Sequence, residues 1–197
     1  MASEDSILTA KIFSHMRLET GNLLHFHGDA LVIDATPELR YAPGASRAVF
    51  EAAGESFAKE AEGLGKQDFG KAIALPGKNL DRVTHVILTV PPLFKKEDET
   101  QAEVMASCYR NAFKIAKEKK LYKLAFASVG TWVYNYPRFP AAKIALLEAV
   151  KFLIDEGEDS PFQFVFYCFD KTTFRNYGTL MNLLIEELGE GKRYGHW

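Results

Sequence analysis

The chain has 197 residues, 47% of them hydrophobic and 25% charged, a length that suits one domain spanning residues 1–197. That apolar share, with 15 phenylalanines, excludes general disorder, and a domain of this size buries roughly 70% of the surface its unfolded chain exposes. Lysine and arginine number 24 against 26 acids, a net charge of -2, so a protein that grips nucleic acid by bulk charge is disfavoured.

The stretch Met1–Ser6 is polar and acidic, without the basic region and apolar core of a secretory signal. No apolar run approaches the roughly 18 residues a membrane helix needs. Cys108 and Cys168 stand far apart with no CxxC partner and read as small buried hydrophobes in a reducing compartment. The expected location is the cytoplasm, with no membrane partner.

Ile7 to Phe13 alternates well enough for a strand. ALVIDA, Ala30 to Ala35, is a continuous apolar run that fits a central strand buried on both faces. Pro37 and Pro43-Gly44 hold a loop open. From Ala45 the period turns helical, with Ala48, Val49, Ala52 and Ala53 on one face and Gly54 at the stop. Lys71–Leu75 and THVILTV, Thr84 to Val90, read as strands ended by prolines.

Asp98 is placed to cap a long helix carrying Val104, Cys108, Ala112 and Ile115 at three- and four-residue steps. Lys117, Lys119, Lys120 and Lys123 complement that helix's C-terminal dipole, a solvated face rather than a nucleic-acid patch. Leu121–Ser128 is a further strand. A helix follows over about Ala141–Asp155 with Pro140 near its first turn. Phe162–Phe169 is the last strand, and a helix over Thr172–Leu188 closes the chain. Alternating strands and helices predict an α/β fold, a three-layer α/β/α sandwich with a mixed, largely parallel sheet and a core of about 7–188.

In such sheets ligands settle at the carboxyl ends of the strands. Four loops qualify: Thr36–Gly44, Pro91–Glu97, Val129–Pro140 and the turn around Asp170. Gly130-Thr131-Trp132-Val133-Tyr134 follows a strand and precedes a helix, where successive backbone N–H groups make a nest for phosphate oxygens. Its aromatics, with Tyr136, either bracket a ribose or a base or plug the sheet end. Pro43-Gly44-Ala45-Ser46 opens directly into a helix and is a second anion cradle or an ordinary turn. Neither a P-loop nor GxGxxG is present.

His25 and His27, two apart, share a face if they lie on a strand; without a cysteine or acidic set at ligand spacing they favour surface histidines over a zinc site, and no metal or cofactor is expected. His15, His85 and His196 form no further cluster. Ala127-Ser128-Val129-Gly130 departs from the GxSxG nucleophile elbow. Asp34, inside ALVIDA, is either satisfied by loop N–H groups or aimed at a ligand.

Taken in order, these pieces resemble the macrodomain family, the ADP-ribose-binding α/β module. Gly21-Asn22-Leu23-Leu24 stands where the family has Gly-Asp-Ile-Thr. Asp29-Ala30-Leu31-Val32-Ile33-Asp34-Ala35-Thr36 stands for Asp-Ala-Ile-Val-Asn-Ala-Ala-Asn. Pro43-Gly44-Ala45 with Ala52-Ala53-Gly54 is similar to the glycine-rich loop and its helix. Val86–Pro92 and Val129–Pro137 are similar to the family's next two segments, and Phe166–Asp170 to its last strand.

The resemblance implies a cleft for ADP-ribose, free or on a modified protein. In it Asn22 and the Leu23 N–H would meet the adenine, and Gly44 and Ala45 would line the phosphate and distal ribose. Gly130, Thr131, Trp132, Val133 and Tyr134 would wrap the diphosphate, and Phe169 or Asp170 would flank the adenosine. Two family asparagines become Ile33 and Thr36, and threonine offers a shorter, single donor. Pro43 and Ala42 replace glycines, and Trp132 replaces a glycine and stands to cover or partly fill the site. Binding is therefore the first expectation. The alternatives are a hydrolase that removes ADP-ribose from protein or cleaves a related ADP-ribose ester, with Asp34 as base and Thr36 at the ribose, and an interaction scaffold with its cleft closed by Trp132.

Overall fold

The computed structural model describes residues 4–96 and 98–190; His196, Glu97 and the first residues of the acidic Met1–Ser6 stretch lie outside these. The strands are β1 (Met16–Thr20), β2 (Ala30–Asp34), β3 (Ala72–Pro76), β4 (His85–Thr89), β5 (Lys123–Phe126) and β6 (Gln163–Cys168). They form one sheet in the order β1-β6-β5-β2-β4-β3, parallel throughout except for the edge pair β3 and β4. The helices are α1 (Glu4–Ser14), α2 (Ala45–Ala53), α3 (Glu55–Gly63), α4 (Gln101–Lys119), α5 (Arg138–Glu156) and α6 (Lys171–Gly189). The expected α/β/α sandwich with a mixed, largely parallel sheet is the architecture observed.

Alternation along β2 explains the layering. Every residue of β2 is buried, as a central strand covered on both faces requires. Ala30 and Val32 point into a core shared with α1, α4, α5 and α6. Leu31 and Ile33 point into a second core under α2 and α3. The larger core is built on phenylalanine: Phe113 stacks on Phe152 at 4.9 Å and lies 4.9 Å from Phe164 and 5.5 Å from Phe126.

Three local expectations are corrected. Ile7–Phe13 is helical, not a strand: Thr9, Ile12 and Phe13 are the buried positions while Ile7 and Leu8 face solvent, which is the three- and four-residue spacing of a helix face. The first strand is the following segment, β1, laid parallel on β6 with Thr20 opposite Cys168. Asp98 is not the N-cap of α4; that place is Thr100. Asp98 instead accepts hydrogen bonds from the backbone N–H of Thr100 at 3.0 Å and from its hydroxyl at 2.6 Å, which closes the turn before the helix. His25 and His27 are not on a strand, for His25 ends a short 3-10 helix, Leu23–His25, and His27 follows it.

Asp29 ties the crossing together. Its carboxylate accepts from the N–H groups of Tyr122 at 2.7 Å and Lys123 at 2.8 Å, and its carbonyl accepts from Thr84 and His85. Carboxylate and carbonyl together thus fix the entry to β2 against the strands on both sides.

Candidate functional site: a cleft over the strand ends

The C-terminal ends of β2, β5 and β6 open into a cleft of about 420 Å³, within the range of small-molecule sites. One wall is Gly21–Leu24, carried to the cleft by the pairing of β1 with β6. The opposite wall is Pro43-Gly44-Ala45 with Ala48 and Val49 of α2. Ala127, Ser128, Thr131 and Trp132 form the third side, Tyr167 and Phe169 the rim beyond β6, and Asp34 lies at the end of β2. Among the described residues that line it, none is Lys, Arg or His.

The backbone supplies what the side chains do not. Gly44 is the N-cap of α2 with φ 90°, and no side chain caps the helix there. With Arg47 N donating to Ala42 O, the first turn leaves the N–H groups of Ala45 and Ser46 and the positive end of the helix dipole at the Gly44–Ala45 wall. Across the cleft, Thr131 turns its hydroxyl onto Ser128 O at 2.9 Å, and Tyr136 N donates to Gly130 O at 3.0 Å. This holds the loop in a tight turn, and the amides of Trp132 and Val133 donate to no backbone acceptor among the described residues.

The sequence-derived residues divide. Asn22, Leu23, Asp34, Gly44, Ala45, Thr131, Trp132 and Phe169 all line the cleft. Gly130, Val133, Tyr134, Thr36 and Asp170 do not. Gly130 sits behind the turn at φ 75°, where an added Cβ would lie 2.5 Å from Met105 Cε. Tyr134 is buried, and its hydroxyl donates to Ala35 O at 2.7 Å, which pins the loop to the end of β2. Val133 faces solvent. The Thr36 hydroxyl accepts from Arg40 N at 3.2 Å and so shapes its own turn. Asp170 caps α6 through Thr173 N at 2.7 Å and pairs with Arg138 at 2.6 Å; these donors hold its carboxyl below the usual range.

Trp132 does not fill the cleft. It is 53% exposed, with its ring edge-on to Phe169 at 5.6 Å, and Phe169 is itself 73% exposed. The pair forms an aromatic rim over an open cavity. The Asn22 Oδ1 accepts from Leu24 N at 3.0 Å, so its amide NH₂ is the part left to face a ligand.

Asp34 is 6% exposed. Burial pushes its carboxyl up to about 6, opposed in part by the N–H groups of Asp34 itself and Gly130. Tyr167, Leu24, Ala48 and Ser128 were not anticipated as lining residues; the alternation of FQFVFYCF, which puts Tyr167 on the face of Val165, was the one available signal for the first. The Pro91–Pro92 loop stays outside the cleft and supports it: Phe94 N donates to Tyr134 O at 2.9 Å, and its ring meets Tyr136 edge-on at 5.3 Å. Among the described residues no group of three or more His, Cys, Asp or Glu is arranged to hold a metal ion, and no helix is long and apolar enough to cross a membrane.

A mostly parallel α/β sheet with a nucleotide-sized cleft at its crest, walled by an uncapped helix start and a tight amide-bearing turn, defines a binding module for a small anionic ligand. The family model of the Macro domain matches residues 35–145, and the chain belongs to that family. It is 30% identical to a macro domain-containing protein of Listeria monocytogenes, over 82% of this chain and 94% of that one. It is 29% identical to the O-acetyl-ADP-ribose deacetylase of Salmonella newport, over 85% of this chain and 94% of that one. Among solved structures it is similar to the Oceanobacillus iheyensis macrodomain with ADP, at TM-score 0.79 and 28% identity, covering 87% of this chain and 92% of that one. It is also similar to the Trypanosoma brucei macrodomain in complex with ADP-ribose, at TM-score 0.77 and 27% identity, covering 86% and 70%.

Proposed function

We propose that this protein, folded as one domain in a reducing, cytoplasmic setting, binds ADP-ribose in the cleft at the strand ends, free or attached to a modified protein. The carrying observation is the cleft of about 420 Å³ with amide-bearing walls on both sides and no basic side chain among its described lining. Oriented amides and a helix N-terminus can hold a diphosphate without lysine. The solved relatives with ADP and with ADP-ribose support the same ligand. The NH₂ of Asn22 donates to an acceptor nitrogen of the adenine, the Leu23 wall and Phe169 flank the ring, and the diphosphate lies between Gly44–Ala45 and the turn at Thr131–Val133. The exposed rim at Trp132 and Phe169 leaves room for the distal ribose to carry a protein.

Calorimetric titration with ADP-ribose, with AMP and ribose 5-phosphate as controls, tests this. Saturable binding that needs both ends of the ligand is the expected result. No heat and no thermal shift at millimolar ADP-ribose would overturn it.

Hydrolysis of an ADP-ribose ester is a second reading, favoured by the likeness to the Salmonella deacetylase and by Asp34, the one carboxylate among the described residues that line the cleft. Thr36 is turned away onto Arg40 N, so any such activity depends on Asp34 and not on Thr36. Release of acetate from an O-acetylated ADP-ribose, lost in Asp34→Asn and kept in Thr36→Ala, is its signature.

A further inference from the structure

A carboxylate that lines a cleft meant for a diphosphate is an apparent contradiction. Asp34 ends the central strand β2. Around it stand Cys108 and Tyr109 from α4 and Tyr134 from the loop after β5, all three within electrostatic reach. From β4, Thr89 spends its hydroxyl on Ile33 O, and from α2, Ser46 spends its hydroxyl on the Asp34 carbonyl. Outside the cleft, Asp170 is neutralised by Arg138, and at the rim Tyr167 is hydrogen-bonded with Glu19, which pairs with Arg17. No cation reaches the Asp34 carboxylate from any of these elements.

An ionised Asp34 and an ionised diphosphate in one poorly solvated cleft repel each other with nothing between to screen them. We infer that Asp34 makes the cleft take its diphosphate ligand together with a proton, so that the carboxyl is neutral whenever the anion is bound. The inference rests on the ADP-ribose reading and adds a charge requirement to it. The other titratable groups around Asp34 are silent in the neutral range. Burial pushes the Cys108 thiol up to about 12, and Tyr109 and Tyr134 are raised well above the ordinary phenol range. Asp34, with a carboxyl raised to about 6, is the group free to exchange a proton. The two phosphates of ADP-ribose stay ionised throughout the same range, so the ligand does not exchange one.

The neutral acid has a further use. A protonated carboxyl is a donor as well as an acceptor, so it can offer its O–H to a ligand oxygen where the carboxylate would repel it. A residue held neutral by the ligand cannot also act as a general base. The inference therefore assigns Asp34 to charge selection and speaks against hydrolysis through it.

The test is calorimetry of ADP-ribose binding between pH 5.5 and 8, repeated in buffers of different ionisation enthalpy. The wild-type protein is expected to bind roughly 50–100-fold more weakly at pH 8 than at pH 5.5, and to take up close to one proton per ligand above pH 7. Asp34→Asn is expected to bind with a flat pH profile and no proton uptake, and at pH 8 more tightly than wild type. Adenosine, which carries no phosphate, is expected to show neither effect. Should Asp34→Asn prove poorly folded by circular dichroism, Asp34→Ala replaces it. Binding of ADP-ribose by the wild type with constant affinity and no proton uptake would overturn the inference while leaving the ADP-ribose reading intact. No binding of ADP-ribose at pH 5.5 would overturn both.

Discussion

Replacing Asp34 by Asn should change how the fold's stability depends on pH even without ligand. The native carboxyl is raised from 3.8 to about 6 by burial, which at about 1.4 kcal/mol per pKa unit is about 3 kcal/mol between its two protonation states. In the unfolded chain the group ionises near 3.8, so between about pH 4 and 6 the native state holds a proton that the unfolded state has released. Stability present below the lower value is therefore lost as pH rises through the higher one, and it stays lost above. Asparagine keeps the shape and an acceptor for the Gly130 N–H but carries no charge. Relative to wild type, Asp34→Asn should gain about 2–3 kcal/mol between pH 4.5 and pH 8, an extra difference in Tm of about 5–10 °C for a chain of this length. Thermal unfolding of both proteins at the two pH values measures this directly, and the many exposed carboxylates cancel in the comparison. Parallel pH curves for the two proteins would refute the reasoning, because they would mean that Asp34 titrates alike folded and unfolded.

Tyr134→Phe removes a buried hydroxyl that donates to Ala35 O at 2.7 Å; it should cost about 1 kcal/mol, and its clearer signature is weaker ADP-ribose binding, as the turn loses its tie to β2. Phe113→Ala empties the centre of the phenylalanine cluster and should cost about 3–5 kcal/mol, read as a lower urea midpoint at unchanged slope. The free thiols of Cys108 and Cys168 are fully buried and each pushed up to about 12 by burial. Iodoacetamide at pH 8 should label neither in the native protein and both in urea, whereas native labelling would show that one of them is open to solvent.

What the sequence disclosed follows from how each signal arises. ALVIDA and THVILTV are buried on both faces, and a continuous apolar run has one simple explanation in an α/β chain. The segment Ile7–Phe13 misled because its seven residues satisfy both periods: Lys11 and Thr9 alternate with apolar neighbours, yet Thr9, Ile12 and Phe13 share a helix face. Only packing against α5 and α6 decides between them. In the site, Gly44–Ala45 and Thr131–Trp132 were legible because glycine and aromatic residues in a strand-to-helix loop are unusual. Tyr134 and Asp170 were legible as residues of interest but not in their roles. The direction in which Tyr134 points depends on Ala35, brought beside it by tertiary folding, and Asp170 acquires its partner from Arg138 on another helix. Leu24 and Tyr167 come together only through the β1–β6 register, a pairing between distant parts of the chain that no local pattern contains.

That register has a consequence for assembly during synthesis. Strand β1 emerges from the ribosome first, but it stands at the sheet edge with β6 as its only neighbour, and β6 emerges last of the six. Long-range parallel pairing is slow to form because its loop closure comes before its reward. The Gly21–Leu24 wall therefore waits, unplaced, until nearly the whole chain has been made, while the Gly44 wall can settle on β2 and β4 much earlier. A chain stopped after α5 has half a cleft and nothing to lay its first strand against.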